Sequence, residues 1–339
     1  MKFVNKLYAK AARQKNAALL CALLCLGLFA ACRGAKDASA SAQNPTPVSR
    51  PALNPADFDP APGTPAALKV SGERAFKTLK EFVVLGPRYV GSKGHEMAER
   101  YIVDHLQGAE IEQDHFNAQT VLGQFPMDNI IAKFPGKKDG ILVIAGHYDT
   151  NYPLKNTSFI GANDGGSNVG LMLEIAAALR EHGNDGYSVW LVFTDGEEAM
   201  KTWSDQDSVY GSKQLAARWA KDGTADKVKA FLLLDMIGDK DLHLEQDANS
   251  TPWLAEVVRR AGARAGRQAV FSNRVNGIED DHLPFRAVGI PVDDIIDLDY
   301  GFDNIYHHTT EDTPDKCSAQ SLQAVGDIVM ETLRALNTH

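Results

Sequence analysis

Cysteine is nearly absent from the bulk of this 339-residue chain. Of its four cysteines, Cys21, Cys25 and Cys32 fall near the N-terminus and only Cys317 lies beyond them. A long block with one cysteine holds no internal disulfide and no thiolate metal site. An excess of positive charge is also missing. The chain has 35 Lys and Arg against 44 Asp and Glu, a formal net charge of −9. Nucleic-acid binding usually leaves a basic footprint, so no nucleic-acid partner is expected. The longest apolar run, AALLCALLCLGLFAA (Ala17–Ala31), falls short of the roughly 20 residues a bilayer-spanning helix needs. No internal repeat is present.

That short run follows a basic start, Lys2, Lys6, Lys10, Arg13 and Lys15, and ends in small residues. The order reads as a secretory signal over residues 1–31. In LFAAC the cysteine follows two alanines, which resembles a bacterial lipoprotein signal with Cys32 as the lipidated residue. Phe29 stands where that pattern usually has leucine, and ordinary cleavage after Ala31 is the alternative. Residues 32–66 are rich in Pro, Ala and Ser and poor in large apolar residues, so they read as a flexible tether. The expectation is an exported bacterial lipoprotein of the cell envelope, meeting the membrane only through its N-terminal lipid. Residues 67–339 then form one domain with a substantial core.

Within that domain, apolar runs alternate with helical spacing. Helices are expected over 75–85, 95–106, 164–180, 208–221, 251–266 and 318–336. Strands are expected over 109–115 and 129–134, and at GILVIAGHYD, YSVWLVFTD, KAFLLLD and GIPVDDIIDL. Strands apolar throughout are buried on both faces. The fold class is therefore α/β, a three-layer α/β/α sandwich with a mixed, largely parallel central sheet. Sites in such sheets sit at the carboxyl ends of the strands.

The polar residues collect at those ends: His147 and Asp149 in GHYDT, Asp164 in GANDGGS, Glu197 and Glu198 in TDGEEA, and Asp235 in LLLDMIG. Asp280, Asp281 and His282 follow in IEDDHLPF, and His307 and His308 in YHHTTED. Singly, Asp164 also reads as a helix N-cap, Asp235 as a solvated loop carboxylate, and the two histidines as surface residues. Together they deliver acids and imidazoles to one sheet edge, where carboxylates without a cation would hold raised pKa values. A divalent metal resolves that crowding, and an oxygen and nitrogen donor set suits zinc. The adjacent glutamates then divide their labour, one binding the ion and the other standing free beside it as a base.

GHYDT, GANDGGSNVGLMLEIA, TDGEEA, LLDMIG and HTTEDT together resemble the zinc aminopeptidases of the leucyl aminopeptidase/carboxypeptidase-like fold. WSDQDSVYGSKQLA (residues 203–216) and IEDDHLPF are similar to the animal-type glutaminyl-peptide cyclotransferases. This resemblance implies a zinc-dependent catalytic domain, with Asp164, Glu198 and His308 on the metal and Glu197 as general acid/base. Asp235 and Asp280 would form a carboxylate network, and Trp203, Ile278 and His307 would line the substrate pocket. The activity implied is an acyl transfer that converts N-terminal glutamine of peptides or proteins to pyroglutamate with release of ammonia. The alternative is a metallo-aminopeptidase, a hydrolase in which His147 and Asp235 hold a second zinc with Asp164 bridging and Asp149 orients His147. One zinc or two thus remain open. A non-catalytic binding module is the third reading, and it is disfavoured because no ligand is missing. This chain departs from the animal cyclases in three ways: it has His307 in place of a tryptophan, Glu279 in place of a glutamine, and no cysteine pair near the site.

Overall fold

The computed structural model describes residues 53–339. The expected signal 1–31, Cys32 and the tether up to residue 52 lie outside them. Two helices come first, α1 (Gly72–Val83) and α2 (Lys93–His105). The hydroxyls of Ser71 and Ser92 accept from the N–H of Arg74 and His95 and open these helices. A hairpin follows, β1 (Glu110–Thr120) and β2 (Gly123–Phe134), then β3 (Lys138–His147), α3 (Ser167–His182) and β4 (Tyr187–Thr194). Next are α4 (Tyr210–Asp222), a short α5 (Thr224–Lys227), β5 (Val228–Asp235), β6 (Leu244–Asp247) and α6 (Pro252–Arg264). The chain ends with β7 (Phe271–Asn276), α7 (His282–Ala287), β8 (Val292–Ile296) and α8 (Ala319–Leu336).

The main sheet runs β1-β2-β4-β3-β5-β8. The β1–β2 and β2–β4 pairs are antiparallel, and β4–β3, β3–β5 and β5–β8 are parallel. Alternate residues build two cores. Leu142, Ile144, Leu191, Phe193, Leu232 and Leu234 pack with residues of α1, α3, α6 and α8. Val143, Ala145, Val192, Phe231 and Leu233 pack with Leu215 and Trp219 of α4 and Phe285 of α7. The three-layer sandwich with a mixed, largely parallel sheet is the expected one. Because β3, β4, β5 and β8 share one direction, their carboxyl ends open on a common edge.

Three features differ from the sequence reading. Ordered packing starts ahead of residue 67: Phe58, in the 3-10 turn Pro55–Phe58, is buried and stacks on Trp253, and Asp59 pairs with Arg260 and Arg264. One aromatic and one acid anchor a stretch whose Pro and Ala content reads as tether. The helix expected from Asp164 begins at Ser167 instead, and its cap, Gly166, makes no side-chain cap bond. Asp164 lies in the preceding turn, so it is not an N-cap. Finally, β6 and β7 pair as a separate parallel sheet. Their sequences, LEQD and FSNRVN, carry no apolar run or alternation that would signal a strand.

Asp293 is a built-in cost of this core. Its carboxyl is buried on the face of β8 shared with Ile295. Burial pushes its pKa up to about 8, and the Ser250 hydroxyl and Arg259 offset this only in part. Since the folded state holds the proton more tightly than the unfolded one, stability is greatest at low pH. It is lost as pH climbs from the ordinary carboxylate value toward about 8. Asp293→Asn should therefore leave the melting temperature nearly unchanged at about pH 3.5, below the ordinary carboxylate value. At pH 8.5 it should raise it by about 3 °C or more, as read by calorimetry across that range.

Candidate metal centre

β3 ends on His147, and the backbone then turns through Asp149. His147 Nε2 faces Asp164 Oδ1 at 3.1 Å and Asp235 Oδ1 at 3.3 Å. Those carboxylates come from the turn before α3 and from the last residue of β5. On the other side of Asp164, His308 Nε2 stands 3.4 Å from Asp164 Oδ2 and 3.1 Å from Glu198 Oε1. Asp164 thus lies between two imidazoles. One ligand atom each of His147, Asp164 and Asp235, and likewise of Asp164, His307 and His308, falls within 4.8 Å of the others.

The donor set fits a metal ion. Asp164 Oδ2 and His147 Nδ1 are buried and lack a hydrogen-bond partner. Burial alone would lower the pKa of both histidines. Glu197, Asp149, Asp164 and Asp235 nevertheless hold His147 well above its ordinary value, and Glu198 and Asp164 push His308 up to about 11. For Asp164, burial raises the pKa but is outweighed by His147 and His308, which hold it well below the carboxylate range. A field that retains protons on two imidazoles equally favours a divalent cation, which displaces those protons on binding.

Glu197 and Glu198 sit in the turn after β4. Asp149 grips that turn, its Oδ1 accepting from the Glu197 N–H (3.1 Å) and its Oδ2 from the Glu198 N–H (3.3 Å). Orientation of His147 by Asp149 is the looser contact, at 3.6 Å. Glu198 turns toward His308, and its second oxygen accepts from the Asn151 amide at 2.7 Å. Glu197 diverges and stands 3.9 Å from His147 Nδ1. Burial raises its pKa well above the carboxylate range; His147 opposes this, and Asp280, Glu198 and Asp281 add to it. One of the pair is thus placed among potential ligands and the other is a basic carboxylate beside them.

Asp164, Glu197, Glu198, Trp203, Asp235, Ile278, Asp280, His307 and His308 all line one cavity of about 450 Å³. His147 and Asp149 are buried directly behind it. The His307 ring lies 4.0 Å from that of His308 at a tilt of 42°, and its Nδ1 lies 3.0 Å from the Asn304 amide nitrogen. Met236 and His308 adopt left-handed backbone, φ 50° and 52°. Such strain costs about 1–2 kcal/mol per residue and tends to persist at functional positions.

Several supports escape a reading by residue type. Asp312 accepts from the N–H of Asn163 and Asp164, at 2.8 and 3.2 Å, and fixes the turn that carries Asp164. The oxygens of Asp207 accept from the N–H of Met200, Lys201 and Thr202, which holds the loop between the glutamates and Trp203. Arg88 is wholly buried and donates to the carbonyls of Tyr148, Ile160 and Gly161. Gly165 must be glycine: its φ is 75°, and a Cβ there would stand 2.8 Å from the Asp149 carbonyl oxygen. Asp207 and Asp312 lie inside WSDQDS and HTTEDT, so those motifs were their only signal. Arg88 gave none.

The chain is similar in sequence and fold to known proteins. The model of peptidase family M28 matches residues 129–333. The glutaminyl-peptide cyclotransferase of Drosophila melanogaster is 30% identical over 260 residues, 68% of this chain and 71% of that protein. A solved glutaminyl cyclase from an Acidobacteriales bacterium is 48% identical with a TM-score of 0.80, covering 82% of this chain and 99% of that one. A Zn-dependent exopeptidase from Parabacteroides distasonis superposes with a TM-score of 0.71 at 25% identity, over 79% of this chain and 99% of that one. The chain belongs to peptidase family M28 and to the family of the glutaminyl-peptide cyclotransferases.

Proposed function

We propose that this protein is a zinc-dependent glutaminyl-peptide cyclotransferase, which converts N-terminal glutamine to pyroglutamate and releases ammonia. One observation carries the reading. A buried basic carboxylate, Glu197, adjoins the Asp164–Glu198–His308 group inside a cavity that Trp203, Ile278 and Asp280 complete. The similarity to the Acidobacteriales glutaminyl cyclase supports it.

Asp164, Glu198 and His308 would hold zinc, which when bound supplies Lewis acidity toward the glutamine side-chain carbonyl. Trp203, Ile278 and His307 would enclose the glutamine side chain and bring its carboxamide close to its own α-amine. Ring closure is intramolecular and gains from that proximity. A bond forms between the α-nitrogen and the side-chain carbonyl carbon, and the bond from that carbon to the amide nitrogen breaks. Glu197 takes a proton from the attacking amine and delivers it to the departing nitrogen, which leaves as ammonia. No water is consumed. Asp235 and Asp280 are placed to accept hydrogen bonds from the leaving amide and to share the proton load.

A metallo-aminopeptidase is the second reading, favoured by the His147–Asp164–Asp235 group, which is arranged for another ion. There Glu197 would activate water instead of an amine. We also infer export and lipid attachment at Cys32, on the N-terminal sequence pattern.

Incubation with Gln-peptides should release ammonia and pyroglutamyl product, and Leu-peptides should yield little free leucine. The reverse pattern would establish the aminopeptidase. Glu197→Gln should lower kcat by about 10²-fold or more while bound zinc, measured by elemental analysis, stays at the wild-type level. Cys32→Ser should move the full-length protein from the membrane fraction to the soluble exported fraction of a bacterial host.

A further inference from the structure

Behind the cavity wall lie two residues, Asp281 and His282, that the proposed chemistry does not use. Asp280, Asp281 and His282 are consecutive, and each is tied to a different part of the fold. Asp280 lines the cavity. The Asp281 carboxylate accepts from the hydroxyls of Thr194, at the end of β4, and Ser212, in α4. The His282 ring is 0% exposed. Its Nε2 lies 3.1 Å from Asp247 Oδ2 and its Nδ1 3.7 Å from Asp294 Oδ2.

The two acids differ in what else they hold. Asp247, the last residue of β6, accepts from the Ile278 N–H at 3.0 Å and the Asn249 N–H at 2.9 Å, so it also supports the cavity wall. Asp294 has no hydrogen-bond partner on either oxygen. It pairs with Leu233 in the β5–β8 register, two residues before the Asp235–Ile296 pair. Its side chain therefore shares a sheet face with Asp235, one step behind the cavity. Burial raises its pKa well above the carboxylate range, and Asp280 and Asp235 add to that. An acid so enclosed needs a polar partner. Among the described residues, His282 is the one basic side chain within ion-pair distance of it.

We propose that the buried His282 side chain bridges Asp247 and Asp294 and so positions Asp280 and the wall segment 276–280 for catalysis. Only its catalytic part rests on the cyclisation reading. The bridge itself is independent of it.

The test is a double-mutant cycle of His282→Gln and Asp294→Asn, read by melting temperature, zinc content and steady-state kinetics. His282→Gln should lower the melting temperature by about 5 °C or more, because a buried acid loses its partner. Adding Asp294→Asn should recover at least half of that loss, since the buried acid that His282 serves is then gone. Additive losses, or a double variant no more stable or soluble than His282→Gln alone, would overturn the bridge whatever the enzyme's activity proves to be. With a Gln-peptide, His282→Gln should lower kcat by about tenfold with KM within about twofold and zinc retained. The double variant should regain most of kcat. Unchanged kcat in His282→Gln would overturn the positioning role. Absence of cyclisation in the wild type would instead refute the proposed function and leave the stability cycle to judge the bridge.

Discussion

Like charges in a low-dielectric crevice set the terms for this molecule. Asp149, Asp164, Glu197, Glu198, Asp235 and Asp280 are all buried around one cavity, with His147 and His308 among them. Repulsion on that scale would open the carboxyl edge of the sheet unless positive charge were supplied. The geometry supplies it in layers. A candidate cation site lies between the imidazoles, and acids farther out accept hydrogen bonds from the backbone.

The second layer uses acids as acceptors. Asp149, Asp207 and Asp312 each take two or more backbone N–H groups from a site loop. Hydrogen bonds of this kind fix a loop without an ion pair. Arg88 does the reverse, donating to three carbonyls from within the protein. Burial lowers its pKa only to about 10 despite complete enclosure, with Asp164, Asp312 and Asp149 nearby. Hydrogen bonds from Arg88 thus help hold the turns that bear Asp149 and Asp164.

The layers and sheet were legible because buried strands such as GILVIAG and KAFLLLD state their environment in composition alone. The convergence of Asp164, Glu198 and His308 followed from topology, since parallel strands must end on one edge. What stayed hidden was polar and non-local. β6 and β7 are short and hydrophilic, and their pairing depends on packing beside β8. The backbone-binding part of Asp149 was invisible because it joins residues 48 and 49 positions apart. Phe58 shows the opposite error, where a single aromatic outweighs a disordered-looking composition.

The cavity divides its duties between separate stretches of chain. His147 and Asp235 end core strands, and Asp164 and Glu198 stand on turns next to core elements. The facing surface comes from 276–280 and 298–307, segments borne by the accessory β6–β7 pair and a loop with an almost fully exposed Phe302. Drift in the second set can reshape which chain ends are admitted without loosening the first. A scaffold partitioned in this manner can exchange ring closure for bond hydrolysis through modest surface change, which gives a physical basis for cyclases and exopeptidases sharing it.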